Sequence, residues 1–365
     1  MTHRSNRQYQ IISSFDLFEG MYIDCEICYR DSKDRYVTAF RNSTLTKVLL
    51  LKLQKLEMTY GSLFIEETYI DSIQNEAHKF SKFHPSPEIT RHYTEIKFKA
   101  NRIFEDVVKN NNVDLPQSER ISFEIKEKIV TVDVSNIIQL INSVRSDDKT
   151  LFTHSVNVAF LNGIMAKWLQ MSENDIMRLT KIGLLHDIGK TMIPSEILDK
   201  PSILTKEEFE VIKTHPVHSY NILVNSGEAD EDVLKAVRGH HEKINGTGYP
   251  DKLQSDEISY FSKITTISDI YDAMCSKRVY KPLNSPFEVL EEFSTGRFSD
   301  LDTHVINVFL ENMPKELVGK RMLMSDDRIG TVVYVNPNKY LYPIVQIDEQ
   351  VITTSENLKC ICSYD

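Results

Sequence analysis

Histidines are concentrated in one part of the sequence. Six of the eleven histidines fall between residues 154 and 241, where an even spread would place fewer than three. Neutral imidazole is the commonest side-chain ligand for transition metals, and carboxylates complete sites of this kind. The concentration therefore indicates a metal site with mixed nitrogen and oxygen ligands. The histidines in this window are His154, His186, His215, His218, His240 and His241.

Two aspartates accompany these histidines. His186 is followed directly by Asp187 at the end of the apolar segment 176–185, so one helix turn offers both a nitrogen and an oxygen ligand. Asp269 lies within a largely apolar predicted helix, and burying an ionised carboxylate is costly unless it meets a cation. Both aspartates, and every histidine of the cluster except His218, which we expect to be exposed, are therefore candidates for a site that binds two metal ions.

The same segment invites a competing interpretation. Gly183-Leu-Leu-His-Asp-Ile-Gly-Lys-Thr191 resembles the phosphate-binding loop of nucleoside triphosphatases. That loop has four residues between its glycines and follows a strand. Here five residues separate Gly183 from Gly189, and the segment closes a predicted helix. We therefore reject the phosphate-binding loop.

The region that holds these residues is predicted to be helical. Apolar residues are spaced by three and four nearly throughout residues 150–313, apart from a glycine-rich stretch at 245–250. After Pro314 the pattern changes to short alternating runs with Asn-Pro turns, which predict a compact β-rich tail over residues 314–365.

Two further parts precede this region. Residues 1–75 mix strand-like runs with a helix predicted over 45–56, which indicates a small N-terminal α/β module whose regulatory role cannot be assigned. Residues 76–149 form a helical linker with helices predicted over 88–111 and 118–146. Amphipathic helices in this position either belong to the core or join two copies of the chain, so a homodimer through the linker stays open.

Length and charge limit the classes of protein to consider. At 365 residues the chain has room for two to three domains and for a core that needs no disulfides. Acidic residues outnumber basic ones 53 to 43, a net charge of −10, which argues against long nucleic acids or anionic membranes as partners. No apolar run approaches the ~20 residues needed to span a bilayer. The first residues also lack the pattern of a signal peptide, so we expect a cytoplasmic protein.

Cysteine usage agrees with that location. Five cysteines spread over the chain suit a reducing compartment. Cys25 and Cys28 form a Cys-x-x-Cys pair, but the pair lies in a strand-like run and no second pair has zinc-ribbon spacing. We interpret both as incidental buried thiols.

Several motifs, in the order in which they occur, resemble the HD-GYP family, a subgroup of the HD phosphohydrolases that hydrolyses cyclic dinucleotides. The matching motifs are His186-Asp-Ile-Gly-Lys190, His215-Pro216, His240-His-Glu-Lys-Ile-Asn-Gly-Thr-Gly-Tyr-Pro250, Asp269-Ile-Tyr-Asp-Ala-Met274 and Arg278-Val-Tyr-Lys281. The resemblance covers residues 150–313. It implies a mainly α fold, an all-helical HD-type bundle flanked by the α/β module and the β-rich tail.

The resemblance also implies a binuclear metal centre. The ligands that it implies are His154, His186, Asp187, His215, His240, His241 and Asp269, with Asp187 bridging the two metals. Some family members bind a third metal through a glutamate one helical turn before the first histidine. Thr150 stands at that position, so we expect two metals. Mixed nitrogen and oxygen ligands suit iron or manganese.

The implied reaction is hydrolysis of cyclic di-GMP to linear pGpG by a hydroxide shared between the metals, with further cleavage to GMP left open. Asp187 and Lys190 would be the catalytic residues, Lys190 stabilising the charge that develops on the phosphate. The substrate contacts that we expect are Gly246, Gly248, Tyr249, Pro250, Arg278, Tyr280 and Lys281. Two alternatives stay open: a phosphodiesterase for cyclic GMP-AMP, and a non-catalytic sensor of a cyclic dinucleotide.

The sequence departs from the family pattern at three informative positions. Asn245 stands where the family usually has aspartate, Lys263 where it usually has arginine, and Ser219 where glycine is common. None of these changes removes a metal ligand. They leave substrate preference and loop geometry open.

Overall fold

The computed structural model describes residues 9–12, 14, 17, 21–69, 87–144, 151–200, 202–275 and 284–363. These residues group into two compact units, one within residues 1–92 and the other within residues 93–365. The sequence-based division into four parts is finer, and it stays a proposal. Within the described ranges, none of the helices combines the length and the apolar character needed to cross a bilayer.

The first unit is an antiparallel sheet with one α-helix. Its elements are β1 (Tyr9–Ile12), β2 (Tyr22–Arg30), β3 (Tyr36–Thr44), α1 (Lys47–Tyr60) and β4 (Leu63–Glu66), followed by a 3-10 turn, Glu67–Tyr69. The strands pair in the order β1-β4-β2-β3. Alternation along β2 places Ile23, Cys25 and Ile27 in the core. Burial raises the pKa of the Cys25 thiol to about 12, so it stays protonated at neutral pH, which favours a structural role.

Three helices follow along the chain, where two had been expected. They are α2 (Pro87–Asn110), α3 (Leu115–Thr131) and α4 (Val134–Val144). The single helix predicted over 118–146 is therefore wrong, because the backbone is extended at Val132. Asp114 caps α3 by accepting a hydrogen bond from the Gln117 N–H. Pro116 lies in the first turn of α3, where the missing N–H has no helical partner to lose.

The remaining helices form a bundle around α5. They are α5 (Leu151–Trp168), α6 (Glu173–Leu185), α7 (Ser195–Leu198), α8 (Lys206–Ile212), α9 (His215–Asn225), α10 (Glu231–Gly239), α11 (Tyr260–Cys275), α12 (Pro286–Ser294) and α13 (Thr303–Leu317), with 3-10 turns at Ile188–Met192 and Ser255–Glu257. Helix α5 is buried from Thr153 to Ala166 apart from His154. A helix that is apolar on all sides belongs at the centre of a core. The predicted mainly α fold is confirmed.

Helices α5 and α6 are in close backbone contact at Gly183. A Cβ atom at this position would lie 2.6 Å from the Cα and N atoms of Ala159, so only glycine fits. Helix α5 carries His154, and α6 ends just before His186. This crossing therefore sets the distance between two candidate ligands.

The chain ends in a second antiparallel sheet. Its strands are β5 (Arg321–Met324), β6 (Ile329–Asn336), β7 (Lys339–Ile347), β8 (Gln350–Thr353) and β9 (Cys360–Ser363), paired in the order β8-β7-β6-β5-β9. The change from helix to strand comes later than expected, because α13 continues through Pro314 to Leu317. The sheet contacts α13 directly, since the Tyr340 hydroxyl donates a hydrogen bond to the Leu310 carbonyl.

Candidate metal centre

Seven predicted ligands converge from helices that are distant in sequence. They form two groups, and within each group one ligand atom per residue lies within 4.8 Å of the others. One group consists of Asp187, His215, His240 and His241, and the other of His154, His186 and Asp269. Most of these residues lie at helix ends, where a side chain leaves the bundle core without disturbing helical hydrogen bonds.

Asp187 lies between the two groups. Its Oδ2 atom is 3.4 Å from His186 Nε2 and 3.5 Å from His154 Nε2. Its Oδ1 atom is 3.1 Å from His215 Nε2 and 3.8 Å from His240 Nε2. Each carboxylate oxygen therefore faces a different group of histidines, which is the arrangement of a carboxylate that bridges two cations.

Hydrogen bonds hold four of the imidazole rings in one orientation. In His186, His215 and His240 the Nδ1 atom lies 2.7–2.8 Å from the carbonyl oxygen three residues earlier in the chain. His154 Nδ1 lies 2.7 Å from Asp272 Oδ2. A carbonyl or carboxylate oxygen only accepts, so each Nδ1 carries the proton and Nε2 is left as the ligand atom.

Buried polar atoms without hydrogen bonds test whether cations fit here. His186 Nε2 and Asp187 Oδ1 are both buried, and neither makes a hydrogen bond. His215 Nε2 and His240 Nε2 face each other at 3.2 Å, although the Nδ1 contacts leave both with lone pairs. Unpaired acceptors are unfavourable in a dry interior. A cation bound by these atoms removes that penalty, so the residues fit a metal centre.

The charges of the metal-free site follow from burial and close pairs. Burial disfavours ionised Asp187, yet Lys190 and His186 outweigh it and hold the carboxyl pKa well below its usual range. Burial lowers the pKa of His241 to about 3 and that of His240 well below its usual value. Burial also opposes a charge on His154, but hydrogen bonds to Asp269 and Asp272 prevail and raise its pKa to about 10.

This pattern predicts that metal binding releases a proton from His154. His240 and His241 are already neutral at pH 7, whereas His154 must lose its proton before Nε2 can bind a cation. Raising the pH therefore strengthens binding, and we expect Mn²⁺ affinity to rise about tenfold per pH unit between about pH 6.5 and 8. Calorimetric titration in buffers of different ionisation enthalpy measures the released proton. An affinity that does not change with pH would contradict the expectation.

Two buried carboxylates in this region were missed by sequence reasoning. Asp272 contacts His154, and Glu242 accepts hydrogen bonds from the backbone N–H groups of Asp251 (2.7 Å) and Leu253 (3.0 Å). Asp272 is three residues after Asp269 and therefore on the same helix face, a spacing that was visible in the sequence. Glu242 closes a loop, and no sequence pattern reveals that contact.

Lys190 lies in the 3-10 turn after α6, with Nζ 2.5 Å from Asp187 Oδ2. Its side chain is 21% exposed, His154 is 20% exposed and His241 is 23% exposed. Asp187, by contrast, is fully buried. The site therefore opens to solvent on the side of Lys190, His154 and His241.

The glycine-rich loop borders this opening. The Tyr249 ring stacks on His241, with centroids 4.7 Å apart and planes at 28°. Gly248 lies against the backbone of residues 241–243, where a Cβ atom would approach to 2.5 Å. Asn245 Oδ1 accepts hydrogen bonds from the N–H and hydroxyl of Thr247 and so closes the turn that leads to Gly248. The substrate contacts expected of Gly246, Gly248, Tyr249 and Pro250 stay predictions.

Other predicted positions fall outside the described residues. These are Arg278, Tyr280 and Lys281, the expected phosphate and base contacts, and Thr150, the position of a third-metal ligand in some family members. Lys263, which stands where the family usually has arginine, forms an ion pair with Asp302, Nζ to Oδ2 at 3.3 Å. That pair stabilises the start of α13, because Asp302 caps this helix.

Ser219 joins two segments that carry ligands. From α9, its hydroxyl donates to the His186 carbonyl at 2.7 Å and accepts from the Gly189 N–H at 2.8 Å. Gly189 itself is in close contact with α9, because a Cβ atom there would lie 2.2 Å from the His215 carbonyl oxygen. The turn that holds His186 is therefore fastened to the helix that begins with His215.

Replacing Ser219 with alanine is expected to weaken both stability and metal binding. The change leaves the buried Gly189 N–H without its partner, which costs about 1–2 kcal/mol. Urea unfolding of the metal-free protein and Mn²⁺ titration measure the two effects. Ser294→Ala, which removes an exposed hydroxyl from α12, is the control. Unchanged unfolding in Ser219→Ala would show that the contact is dispensable.

Comparison with known proteins agrees with this geometry. Residues 138–305 match the family model described as HD domain. This match agrees with the resemblance to the HD phosphohydrolases that was drawn from the histidine and aspartate motifs. It also resembles the solved structure of an HDG"Y"P protein from Bdellovibrio bacteriovorus, with a TM-score of 0.53 over 84% of this chain and 99% of that one. At 17% identity this likeness shows the fold alone.

Two relatives carry functional names. A cyclic di-GMP phosphodiesterase of Pseudomonas aeruginosa is 29% identical over 247 residues, covering 67% of this chain and 58% of that protein. A 3'3'-cGAMP-specific phosphodiesterase of Vibrio cholerae is 35% identical over 151 residues, covering 40% of this chain and 33% of that protein. The chain thus matches less than two thirds of the length of either relative.

Proposed function

We propose that this chain is a metal-dependent cyclic-dinucleotide phosphodiesterase that hydrolyses cyclic di-GMP to linear pGpG. The observation that carries the proposal is the position of Asp187, whose two carboxylate oxygens face two separate groups of histidines. The Pseudomonas relative, which is named for cyclic di-GMP, supports the choice of substrate. Whether cleavage continues to GMP is decided by the product assay below.

The two groups of residues would hold two divalent cations, with Asp187 shared between them. All the donors are imidazole nitrogens and carboxylate oxygens, which favours iron or manganese. When bound, such a pair supplies Lewis acidity and lowers the pKa of water enough to provide a nucleophile near neutral pH. That chemistry supports the proposed hydrolysis of a phosphodiester.

The residues of the chain prepare the site for this reaction. The Nδ1 hydrogen bonds hold the imidazoles with Nε2 inward, so little reorganisation accompanies metal binding. Lys190 places a cation at the solvent-facing side of Asp187, where it would neutralise charge on an incoming phosphate. Tyr249 stacks on His241 beside the same opening and so forms part of the wall that a nucleotide would meet.

The test is a product assay on the purified chain loaded with Mn²⁺ or Fe²⁺. Cyclic di-GMP should yield linear pGpG, detected by chromatography, and a chelator should stop the reaction. Metal analysis of the same preparation should give two ions per chain. If two ions are bound and cyclic di-GMP remains intact, the proposal fails.

The second candidate substrate is 3'3'-cGAMP, because the Vibrio relative is named for that compound. Parallel assays with equal concentrations of the two cyclic dinucleotides compare kcat/KM directly. A higher value for 3'3'-cGAMP would reassign the substrate and keep the reaction. Tight binding of either compound without turnover would instead indicate a sensor. The cytoplasmic location, the regulatory N-terminal module and the homodimer through residues 76–149 stay predictions.

A further inference from the structure

A series of buried hydrogen bonds links α2 to the candidate metal ligand His154. The Tyr93 hydroxyl donates to Asn157 Oδ1, and Asn157 Nδ2 donates to Asp272 Oδ1 at 3.0 Å. The other oxygen of Asp272 accepts from His154 Nδ1 at 2.7 Å. Three helices contribute: α2 through Tyr93, α5 through His154 and Asn157, and α11 through Asp272.

Burial strengthens these hydrogen bonds. Tyr93 is 2% exposed, Asn157 1% and Asp272 0%, so water does not compete for these hydrogen bonds. The Tyr93 ring packs on Phe160, with centroids 5.8 Å apart, which fixes the direction of its hydroxyl. An amide side chain such as Asn157 has two nearly equivalent orientations. The Asp272 carboxylate only accepts hydrogen bonds, so it favours the orientation with Nδ2 toward it, and the Tyr93 hydroxyl holds that orientation by donating to Oδ1.

Asp272 in turn decides which nitrogen of His154 faces the metal site. Its carboxylate accepts a hydrogen bond from Nδ1–H, which leaves Nε2 directed at Asp269 Oδ1, 3.0 Å away, and at Asp187. His154 is the one ligand histidine among the four described above whose Nδ1 partner is a side chain instead of a backbone carbonyl three residues earlier. Its orientation therefore depends on side chains from other helices.

We propose that Tyr93 is a positioning residue for the metal ligand His154, acting through Asn157 and Asp272. The inference rests on the proposed metal-dependent function. Loss of the Tyr93 hydroxyl removes the hydrogen bond on Asn157 Oδ1, so the amide is held only through its contact with Asp272, which weakens the orientation of Asp272 and then of His154. Tyr93 is the first residue of the second compact unit. The packing of α2 at this point thereby contributes to metal affinity.

The test compares Mn²⁺ dissociation constants of full-length variants without substrate. Partners that contact a metal ligand directly usually contribute 10–100-fold to affinity, so Asp272→Asn should weaken binding by about that factor. Tyr93→Phe, one step further away, should weaken it by about 3- to 10-fold. Tyr340→Phe is the matched control, because it also deletes a buried hydroxyl that donates a hydrogen bond, but in the C-terminal sheet. It should leave the Mn²⁺ dissociation constant unchanged.

The double variant separates a relay from a general loss of stability. If Tyr93 acts through Asp272, Tyr93→Phe should have no further effect on Mn²⁺ affinity in the Asp272→Asn background. The proposal would be overturned if Tyr93→Phe weakened Mn²⁺ binding equally in the wild-type and Asp272→Asn backgrounds. A wild-type Mn²⁺ affinity in folded Tyr93→Phe would also overturn it.

A metal-free measurement makes the test independent of the proposed function. In protein labelled with ¹⁵N-histidine, the His154 Nδ1 resonance should shift in Tyr93→Phe and stay in place in Tyr340→Phe. An unmoved resonance in Tyr93→Phe would overturn the relay, whether or not Mn²⁺ binds. Failure of the proposed function looks different: cyclic di-GMP stays intact with metal bound, while the Tyr93 comparison gives its expected differences.

Discussion

Asp187→Ala should lose turnover by at least about ten-thousandfold, together with stoichiometric metal binding. The carboxylate contacts both sets of histidines, Oδ2 near His154 and His186 and Oδ1 near His215. Removing it leaves each cation with too few ligands and no shared oxygen. A loss of several kcal/mol of transition-state stabilisation corresponds to a rate factor of this size.

The same variant should keep its fold when no metal is bound. The low pKa of Asp187 shows that its pairing with Lys190 and His186 outweighs the cost of burial, so the alanine should lower the metal-free free energy of unfolding while the protein still folds. In wild type, excess Mn²⁺ should raise the melting temperature, and in Asp187→Ala this rise should vanish. Asp199→Ala, an exposed aspartate of the same segment, is the control and should behave as wild type. Retained turnover in Asp187→Ala would mean that the metal site is misassigned.

Gly183→Ala should destabilise the second unit by about 2–3 kcal/mol, because added volume in a packed core forces the surroundings to move. The new Cβ atom would lie 2.6 Å from backbone atoms of Ala159, and backbone cannot rotate away. The gain in helix propensity, up to about 1 kcal/mol, offsets only part of that penalty. Because the helices would separate, His154 and His186 would move apart and Mn²⁺ affinity should fall as well.

Gly163→Ala is a matched comparison on the facing helix. Its Cβ atom would meet the ends of two side chains, Ile129 Cδ1 at 2.3 Å and Thr180 Cγ2 at 2.8 Å. The Ile129 side chain has rotamers available, so this substitution should cost less, about 1 kcal/mol. Urea unfolding of both variants measures the difference. Equal stability of Gly183→Ala and wild type would show that the helix crossing tolerates a side chain.

Much of the helical architecture was visible in the order of residues. Apolar spacing predicted the bundle, since the period of a helix imposes itself on the sequence wherever one face is buried. The prediction of one continuous helix failed over 118–146. Near the end of α3 the core position is Ile129, whereas the neighbouring Val130 is 43% exposed. A two-residue break at 132–133 changes the phase of the pattern without interrupting its apolar content, so the break was invisible to a periodicity argument.

The identity of the candidate ligands came from residue type and spacing, because histidines and buried aspartates are rare enough in apolar helices to be conspicuous. Their relation to one another came only from the folded chain. That Asp187 turns one oxygen to each group of histidines depends on the packing of α5, which carries His154, and α9, which begins with His215. The same holds for Tyr93, Asn157 and Asp272, whose hydrogen bonds join three helices. Side-chain direction across such contacts is set by packing, and packing has no local signature in sequence.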